Sequence, residues 1–190
     1  MYLLVGLGNP EEKYRKTFHN MGFLAVENAA LLLGAKFDKK ECRAVVAETN
    51  VKGEKVVLAK PQTYMNLSGE SIRELMGKYH VSPDRMMVFY DDYDIPKGAL
   101  RIRKNGSAGT HNGMRNIVEN IRTTEFPRVR IGTFDEECRE IPILNYVLMQ
   151  IREKDFPVYD EVLQNAGKAG VMFASGEPLD KIMQAYNKKD

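Results

Sequence analysis

Five short segments of this chain carry side chains that can orient water, polarise carbonyl groups or move protons. They are Gly8-Asn9-Pro10, His19-Asn20, Met65-Asn66, Asp91-Asp92 and His111-Asn112-Gly113. Each places asparagine, aspartate or histidine beside a glycine, a proline or the end of an apolar run, where a rigid scaffold presents polar groups at its rim. We therefore predict that the five segments meet in one composite site.

His19 and Asp91 are the candidates for a base and the group that orients it. His19 lies in the segment that follows the first predicted strand, and Asp91 ends the apolar run that begins at Met86. Ligands of open α/β sheets gather beyond the carboxyl ends of the strands, and an aspartate there can hold an imidazole in one tautomer. Taken singly, each residue also fits a simpler role: a structural histidine, or an aspartate, Asn66 or Asn112 in a turn or helix cap.

Other kinds of site find little support in the sequence. Gly6-Leu7-Gly8 follows a predicted strand, but the third glycine of a dinucleotide fingerprint is absent and Pro10 interrupts the turn. The chain has no GxSxG elbow and no P-loop. It has three histidines, and Cys42 and Cys138 lack metal-site or disulfide spacing. We predict no metal and no cofactor.

Composition indicates one folded domain over residues 1–190. The chain is 43% hydrophobic and 28% charged, and no low-complexity tract interrupts it. Its first apolar run is too short for a signal sequence, and no apolar stretch approaches the thickness of a bilayer. We therefore expect a cytoplasmic protein without a membrane partner.

The charge is unevenly distributed along the chain, although the net charge is only +2. Residues 97–130 contain eight basic and two acidic residues, whereas acidic residues predominate over 135–180. A basic face suits a polyanionic partner. A mixed, solvated surface explains the same pattern equally well.

Alternating strands and helices must position these residues. We predict strands over 2–7, 45–48, 55–59, 86–90, 99–103 and 128–132, and helices over 21–33, 68–79, 113–121, 143–150, 157–173 and 178–186. Asn20 and Ser68 are the predicted N-caps of the first two helices. This order favours an α/β/α sandwich with a mixed, partly parallel, twisted sheet flanked by helices.

Several longer motifs occur in a fixed order along the chain. They are Val5-Gly-Leu-Gly-Asn-Pro10, Tyr14, Thr17-Phe-His-Asn20, Lys60-Pro-Gln-Thr-Tyr-Met-Asn-Leu-Ser-Gly69, Asp91-Asp-Tyr-Asp-Ile-Pro96, Gly106-Ser-Ala-Gly109, His111-Asn-Gly113 and Arg128-Val-Arg-Ile-Gly132. In order, spacing and total length the chain closely resembles bacterial peptidyl-tRNA hydrolase. The resemblance extends over nearly the whole chain.

The resemblance implies a monomeric, metal-free esterase of translation. It would cleave the bond between a peptide and the 3'-terminal ribose of tRNA, and so recycle prematurely released peptidyl-tRNA. His19 matches the catalytic base and Asp91 the carboxylate that orients it. The matching substrate-binding positions are Asn9, Tyr14, Tyr64, Met65, Asn66, Gly109 and Asn112, and those for the tRNA are Arg103, Lys104 and Arg130. Arg130 could instead pair with Glu119 or Glu125.

The chain departs from the family pattern in its loops. Glu11 and Phe18 replace a glycine and an arginine, Asn105 and Thr110 replace glycines, and Tyr90 replaces a histidine. These changes affect loop geometry and the attraction of tRNA, but they leave the proposed catalytic side chains intact. A non-hydrolytic RNA-binding relative of the same fold and a small-molecule esterase are the alternatives. The complete set of polar residues favours the enzyme.

Overall fold

The computed structural model describes residues 1–187, and a seven-stranded mixed sheet forms its centre. The strands are β1 (Tyr2–Gly6), β2 (Lys39–Glu41), β3 (Ala44–Val51), β4 (Glu54–Pro61), β5 (Met86–Pro96), β6 (Leu100–Arg103) and β7 (Arg128–Phe134). Their order in the sheet is β2-β3-β4-β1-β5-β7-β6. The four strands β4, β1, β5 and β7 run parallel, and β2, β3 and β6 pair antiparallel with their neighbours.

Helices cover both faces of the sheet, as predicted. They are α1 (Met21–Leu32), α2 (Ser68–Tyr79), α3 (Asn112–Ile121), α4 (Ile143–Tyr146), α5 (Phe156–Ala174) and α6 (Leu179–Tyr186). Leu3 and Leu4 of β1 are both fully buried but belong to separate cores, because successive strand residues point to opposite faces. α1 and α5 enclose the core of Leu4, and α2 and α3 enclose that of Leu3. No helix within residues 1–187 is long and apolar enough to cross a membrane.

Two glycines let α1 approach the sheet very closely. A Cβ on Gly6 of β1 would lie 2.1 Å from the carbonyl oxygen of Gly22, and one on Gly22 would lie 2.2 Å from the carbonyl oxygen of Phe89 in β5. Only glycine fits at such distances. The start of α1, and the turn before it that carries His19, therefore lie directly on the ends of β1 and β5.

The structure confirms most predicted elements and changes some of their bounds. β5 continues past Tyr90 to Pro96, because its polar end still pairs with β7. The helix predicted over 143–150 ends at Tyr146, because Val147 and Met149 accept hydrogen bonds from the backbone of residues 18 and 19 instead. The short polar edge strand β2 was not predicted. Cys42 and Cys138 are free thiols, as expected.

Candidate active site

The predicted base and carboxylate meet in the middle of β5, where its apolar half ends. Asp91 is 2% exposed, and both of its carboxylate oxygens lie 3.0 Å from Nδ1 of His19. The backbone amide of His19 donates to the carbonyl of Val147 at 2.8 Å, which fixes the turn that carries the imidazole. Oδ1 of Asp91 is also 3.0 Å from Nε2 of His111. One carboxylate therefore joins two imidazoles.

His111 was not assigned a role from the sequence, and it is the residue that caps α3. Its Nδ1 accepts the backbone N–H of Met114 at 3.3 Å. That nitrogen must carry a lone pair, so the proton of the neutral ring sits on Nε2 and is donated to Asp91. The predicted alternative for Asn112, a helix cap, is wrong, because His111 occupies the cap position. No local signal marked this role, because the residues preferred at a helix N-cap are Ser, Thr, Asp and Asn.

The charges of the three groups are coupled. Burial alone would raise the pKa of Asp91, but the charges of His19 and His111 and their hydrogen bonds outweigh it and hold the pKa well below its usual range. Burial alone would lower the pKa of His19, but the charge of Asp91 and the hydrogen bond to it raise it above its ordinary value. Asp91 is therefore an anion that makes His19 a stronger base.

His19, Asp91 and His111 also offer three possible metal ligands within 4.8 Å of one another. A metal on Nε2 of His111 would require the ring proton to sit on Nδ1. The N–H of Met114 points at that same nitrogen, so metal binding would break the cap of α3. The three residues fit a chain of hydrogen bonds better than a metal ion.

Asn9 is held by two other segments of the site. Its Oδ1 accepts the backbone N–H of Met65 at 2.9 Å, so its Nδ2 is the group left to donate. The side chain of Asn20 bonds both the backbone N–H and the carbonyl of Asn9, each at 2.9 Å. Asn20 thus occupies the N-cap position of α1, as predicted, but its side chain makes no capping bond. Ser68 likewise bonds the carbonyl of Met65 instead of capping α2.

The segments of Asn66 and Asn112 are in contact, because Gly113 packs against Met65. A Cβ on Gly113 would lie 2.6 Å from the sulfur of Met65, so the two segments are as close as backbone permits. Both asparagine side chains are exposed, whereas Met65 is buried. Tyr64 adopts φ 63° without being glycine, a strained conformation that is frequent at functional sites. Its hydroxyl donates to Glu11 at 2.9 Å.

A cleft of about 280 Å³ opens over Asp91. The predicted residues that line it are His19, Asp91, Arg103, Gly109, Asn112 and Arg130, and its apolar side is formed by Ile143, Leu144 and Val147. Asn9 lines a neighbouring cavity, together with Asn20 and Lys60. Two predicted residues have other contacts: Lys104 pairs with Asp180 at 2.9 Å, and the ring of Tyr14 packs under Lys13.

Three arginines line the basic side of the cleft. Nε of Arg130 donates to Asp92 at 2.8 Å, so the alternative partners Glu119 and Glu125 are wrong. Arg103 is exposed and bonds only the carbonyl of Ile102 among residues 1–187. Arg128 is buried, a position that the sequence analysis did not single out.

Comparisons with known sequences agree with the geometry. Residues 3–190 match a family model described as peptidyl-tRNA hydrolase. The peptidyl-tRNA hydrolase of Alkaliphilus metalliredigens is 46% identical over 98% of this chain and 100% of its own length. That of Chloroflexus aggregans is 44% identical over 98% of this chain and 99% of its own.

Solved structures show the same similarity. The crystal structure of peptidyl-tRNA hydrolase from Acinetobacter baumannii superposes with a TM-score of 0.87 at 30% identity, covering 98% of this chain and 96% of that one. A complex of peptidyl-tRNA hydrolase with N-propanol gives a TM-score of 0.87 at 30% identity, covering 100% and 97%.

Proposed function

The chain belongs to the peptidyl-tRNA hydrolase family, and from that premise we propose that it hydrolyses the ester bond between a peptide and the 3'-terminal ribose of tRNA, with His19 as general base. The observation that carries this proposal is the buried Asp91 beneath His19 at the bottom of the cleft. We propose further that the enzyme works as a cytoplasmic monomer of one domain, with no metal or other cofactor.

In the proposed reaction, His19 activates a water molecule. Nδ1–H of His19 donates to Asp91, which leaves the lone pair of Nε2 to accept a proton as the water oxygen attacks the ester carbonyl. The imidazolium that forms is stabilised by the carboxylate. When the tetrahedral intermediate collapses, the ribose oxygen leaves with the proton from His19, and the peptide acid and free tRNA are released.

The asparagines have distinct parts in this proposal. Asn9 can only donate from Nδ2, because the N–H of Met65 occupies its oxygen, so it suits a substrate carbonyl or the developing oxyanion. Asn66 and Asn112 are exposed and keep both a donor and an acceptor. A blocked amino group offers both an N–H and a carbonyl to such a donor and acceptor, whereas a free ammonium group has no acceptor and leaves the amide donors unpaired. We therefore expect preference for N-blocked substrates.

The basic side of the cleft binds the phosphates of the tRNA in this proposal. Asp92 engages only Nε of Arg130 among the described residues, so the two terminal nitrogens keep their donors for a phosphate. Arg103 lies on the same side of the cleft with an exposed guanidinium. Lys104, at the start of the neighbouring loop, would add charge once it leaves Asp180.

One assay separates this proposal from the alternatives. N-acetyl-aminoacyl-tRNA, the unblocked aminoacyl-tRNA and a small ester are compared as substrates, and tRNA binding is measured in parallel. We expect rapid release of tRNA from the blocked compound only. Binding without cleavage would support an RNA-binding protein, and equal cleavage of the small ester would support a general esterase.

A further inference from the structure

Arg128 is a buried cation without an acidic partner. It is the largest of the fully buried side chains, at 1% exposure. Its guanidinium donates to three backbone carbonyls, those of Phe126 at 3.4 Å, Ser107 at 3.1 Å and Thr124 at 2.8 Å. Among residues 1–187 no carboxylate forms an ion pair with it. It lies instead over the ring of Phe126, 4.2 Å from the centroid.

Stability alone does not account for this arrangement. Burial lowers the pKa of Arg128, although the neighbouring Tyr90 acts to raise it. The fold therefore holds a charge that is poorly solvated. Removing a charged side chain from water is costly, and Arg128 offsets that cost with hydrogen bonds to carbonyls and not with an ion pair. A residue that is costly to bury and has no ion pair is a candidate for a role in the site it lines.

The carbonyl of Ser107 gives Arg128 a direct connection to the cleft. Ser107 belongs to the Gly-rich loop (residues 104–110), which leads into His111. Gly106 lies over the guanidinium, since a Cβ there would be 3.8 Å from Nη1, and the N–H of Gly106 reaches the carbonyl of Thr124 at 3.4 Å. Arg128 thus joins the loop to β7 and to the segment before β7.

The side chains that tie this loop to other parts of the molecule, apart from Arg128, lie at the surface. The side chain of Asn105 donates to Glu125 at 2.8 Å, and Arg115 donates to the carbonyl of Gly109 at 3.1 Å. Both are exposed contacts, which water weakens and which contribute little. The bond from Arg128 is charge-assisted and shielded from water on the side of the guanidinium.

We propose that Arg128 is a positioning residue that holds the Gly-rich loop against the cleft. The proposal rests on the proposed function, because the loop matters only if substrate enters beside it. With the loop held, Gly109 faces the cleft and the chain enters His111 in the orientation that reaches Asp91. The ring of Tyr90 packs edge-on against His111, with 5.0 Å between centroids, and interacts with Arg128, so the three side chains form one packed group.

The test compares Arg128→Met and Arg128→Lys with wild type. Arg85→Met is the matched control, because Arg85 also stacks on a ring, that of Tyr2, but lies before the opposite end of β5. We expect Arg128→Met to fold with a lower Tm, because three carbonyls lose their donor, and to raise KM for N-acetyl-aminoacyl-tRNA about tenfold, as expected when a charged hydrogen bond is lost, with little change in kcat. Arg128→Lys is expected to recover part of the affinity.

Hydrogen exchange of peptides that span the loop gives a readout independent of activity. We expect faster exchange at Gly106 and His111 in Arg128→Met, and wild-type exchange in Arg85→Met. Unchanged loop exchange and KM in a folded Arg128→Met protein would overturn the proposal. If that variant does not fold, Arg128→Lys decides: a lower Tm with wild-type KM and loop exchange shows a purely structural role. Failure of wild type to hydrolyse any tRNA ester would refute the proposed function, yet leave the exchange result to stand on its own.

Discussion

The floor of the cleft and its wall are built in different ways. The floor (His19, Asp91 and His111), like Asn9 in the neighbouring cavity, is buried or half-buried, and every one of these side chains hydrogen-bonds another polar group. The wall consists of the Gly-rich loop on one side and the segment 143–147 on the other, where Leu144 is 72% exposed. Proton transfer requires fixed distances between the reacting groups, whereas entry of a large substrate requires loops that can move.

This difference predicts where substitutions act. Changes in the floor are expected to lower turnover and leave the binding of tRNA nearly intact. Changes in the wall are expected to alter KM or the dependence of binding on salt, with little effect on the chemical step.

The largest effect is expected for the base. His19→Ala removes the proton acceptor, and we expect turnover to fall roughly a hundredfold or more, in line with general-base contributions. His80→Ala is the matched control, since His80 lies at the end of α2, away from the cleft. The measurement is release of tRNA from N-acetyl-aminoacyl-tRNA, with tRNA affinity measured alongside. Near-normal turnover in folded His19→Ala would exclude His19 as the base.

A smaller effect is expected at the support of Asn9. Asn20→Ala removes both side-chain bonds to the backbone of Asn9, which allows that residue to drift from the position that donates to substrate. We expect kcat to fall about tenfold and Tm to drop, since buried polar groups lose their partners. Asn28→Ala, which removes a single bond within α1, serves as the control for stability. A drop in Tm with unchanged kcat would make Asn20 purely structural.

Arg103 and Arg130, on the basic side of the cleft, are expected to change binding and not chemistry. Each of Arg103→Gln and Arg130→Gln is predicted to lower the slope of tRNA affinity against salt by about one unit, because one phosphate contact is lost. Cleavage of a short N-blocked aminoacyl-nucleoside ester is expected to stay near normal. Arg73→Gln, an exposed position on α2, controls for net charge.

The pair of Arg130 with Asp92 adds a further check on that prediction. Asp92→Asn frees Nε of Arg130 and is expected to keep or strengthen tRNA binding. If Arg130→Gln lowers Tm while the salt slope stays as in wild type, the arginine serves the fold, and the tRNA docks elsewhere.

The smallest effect is expected from the loop residues that depart from the family pattern. Asn105→Gly combined with Thr110→Gly removes the surface tie to Glu125 and restores backbone freedom. We expect KM to change about two- to threefold and the free energy of unfolding to change little, since an exposed contact contributes under about 1 kcal/mol. Steady-state kinetics and thermal melts measure both. Kinetics identical to wild type would show that the loop is only a connector.

Local sequence patterns predicted much of the fold. They also predicted which residues form the site, but not which residues these side chains contact. The apolar runs from Tyr2 and from Met86 placed the starts of β1 and β5 correctly, but β1 ends at Gly6, one residue early, and β5 continues to Pro96. The partners of Asn20 and His111 were missed, because each bonds a residue that is distant along the chain. Local rules made Asn20 a helix cap and gave His111 no role. The helix predicted over 143–150 ends early for the same reason, since Val147 and Met149 bond the turn of His19.

The burial of Arg128 could not be predicted from the sequence for a related reason. Arg128 and Arg130 are two residues apart in β7 and look equivalent in sequence. Arg128 nevertheless lies beneath the Gly-rich loop, whereas Arg130 is partly exposed beside Asp92. Only the path of the loop over the strand distinguishes them.

The central claim, that Asp91 makes His19 the base, is tested most directly by the pH dependence of kcat/KM. The rate rises with pH as His19 loses its proton, and Asp91 raises the pKa of His19. In Asp91→Asn that influence is gone, so the pKa falls. We therefore predict that the rising limb moves to lower pH and that its plateau is lower than in wild type, after subtraction of the uncatalysed hydrolysis of the ester. A limb that stays at the wild-type pH, or moves to higher pH, would contradict the account.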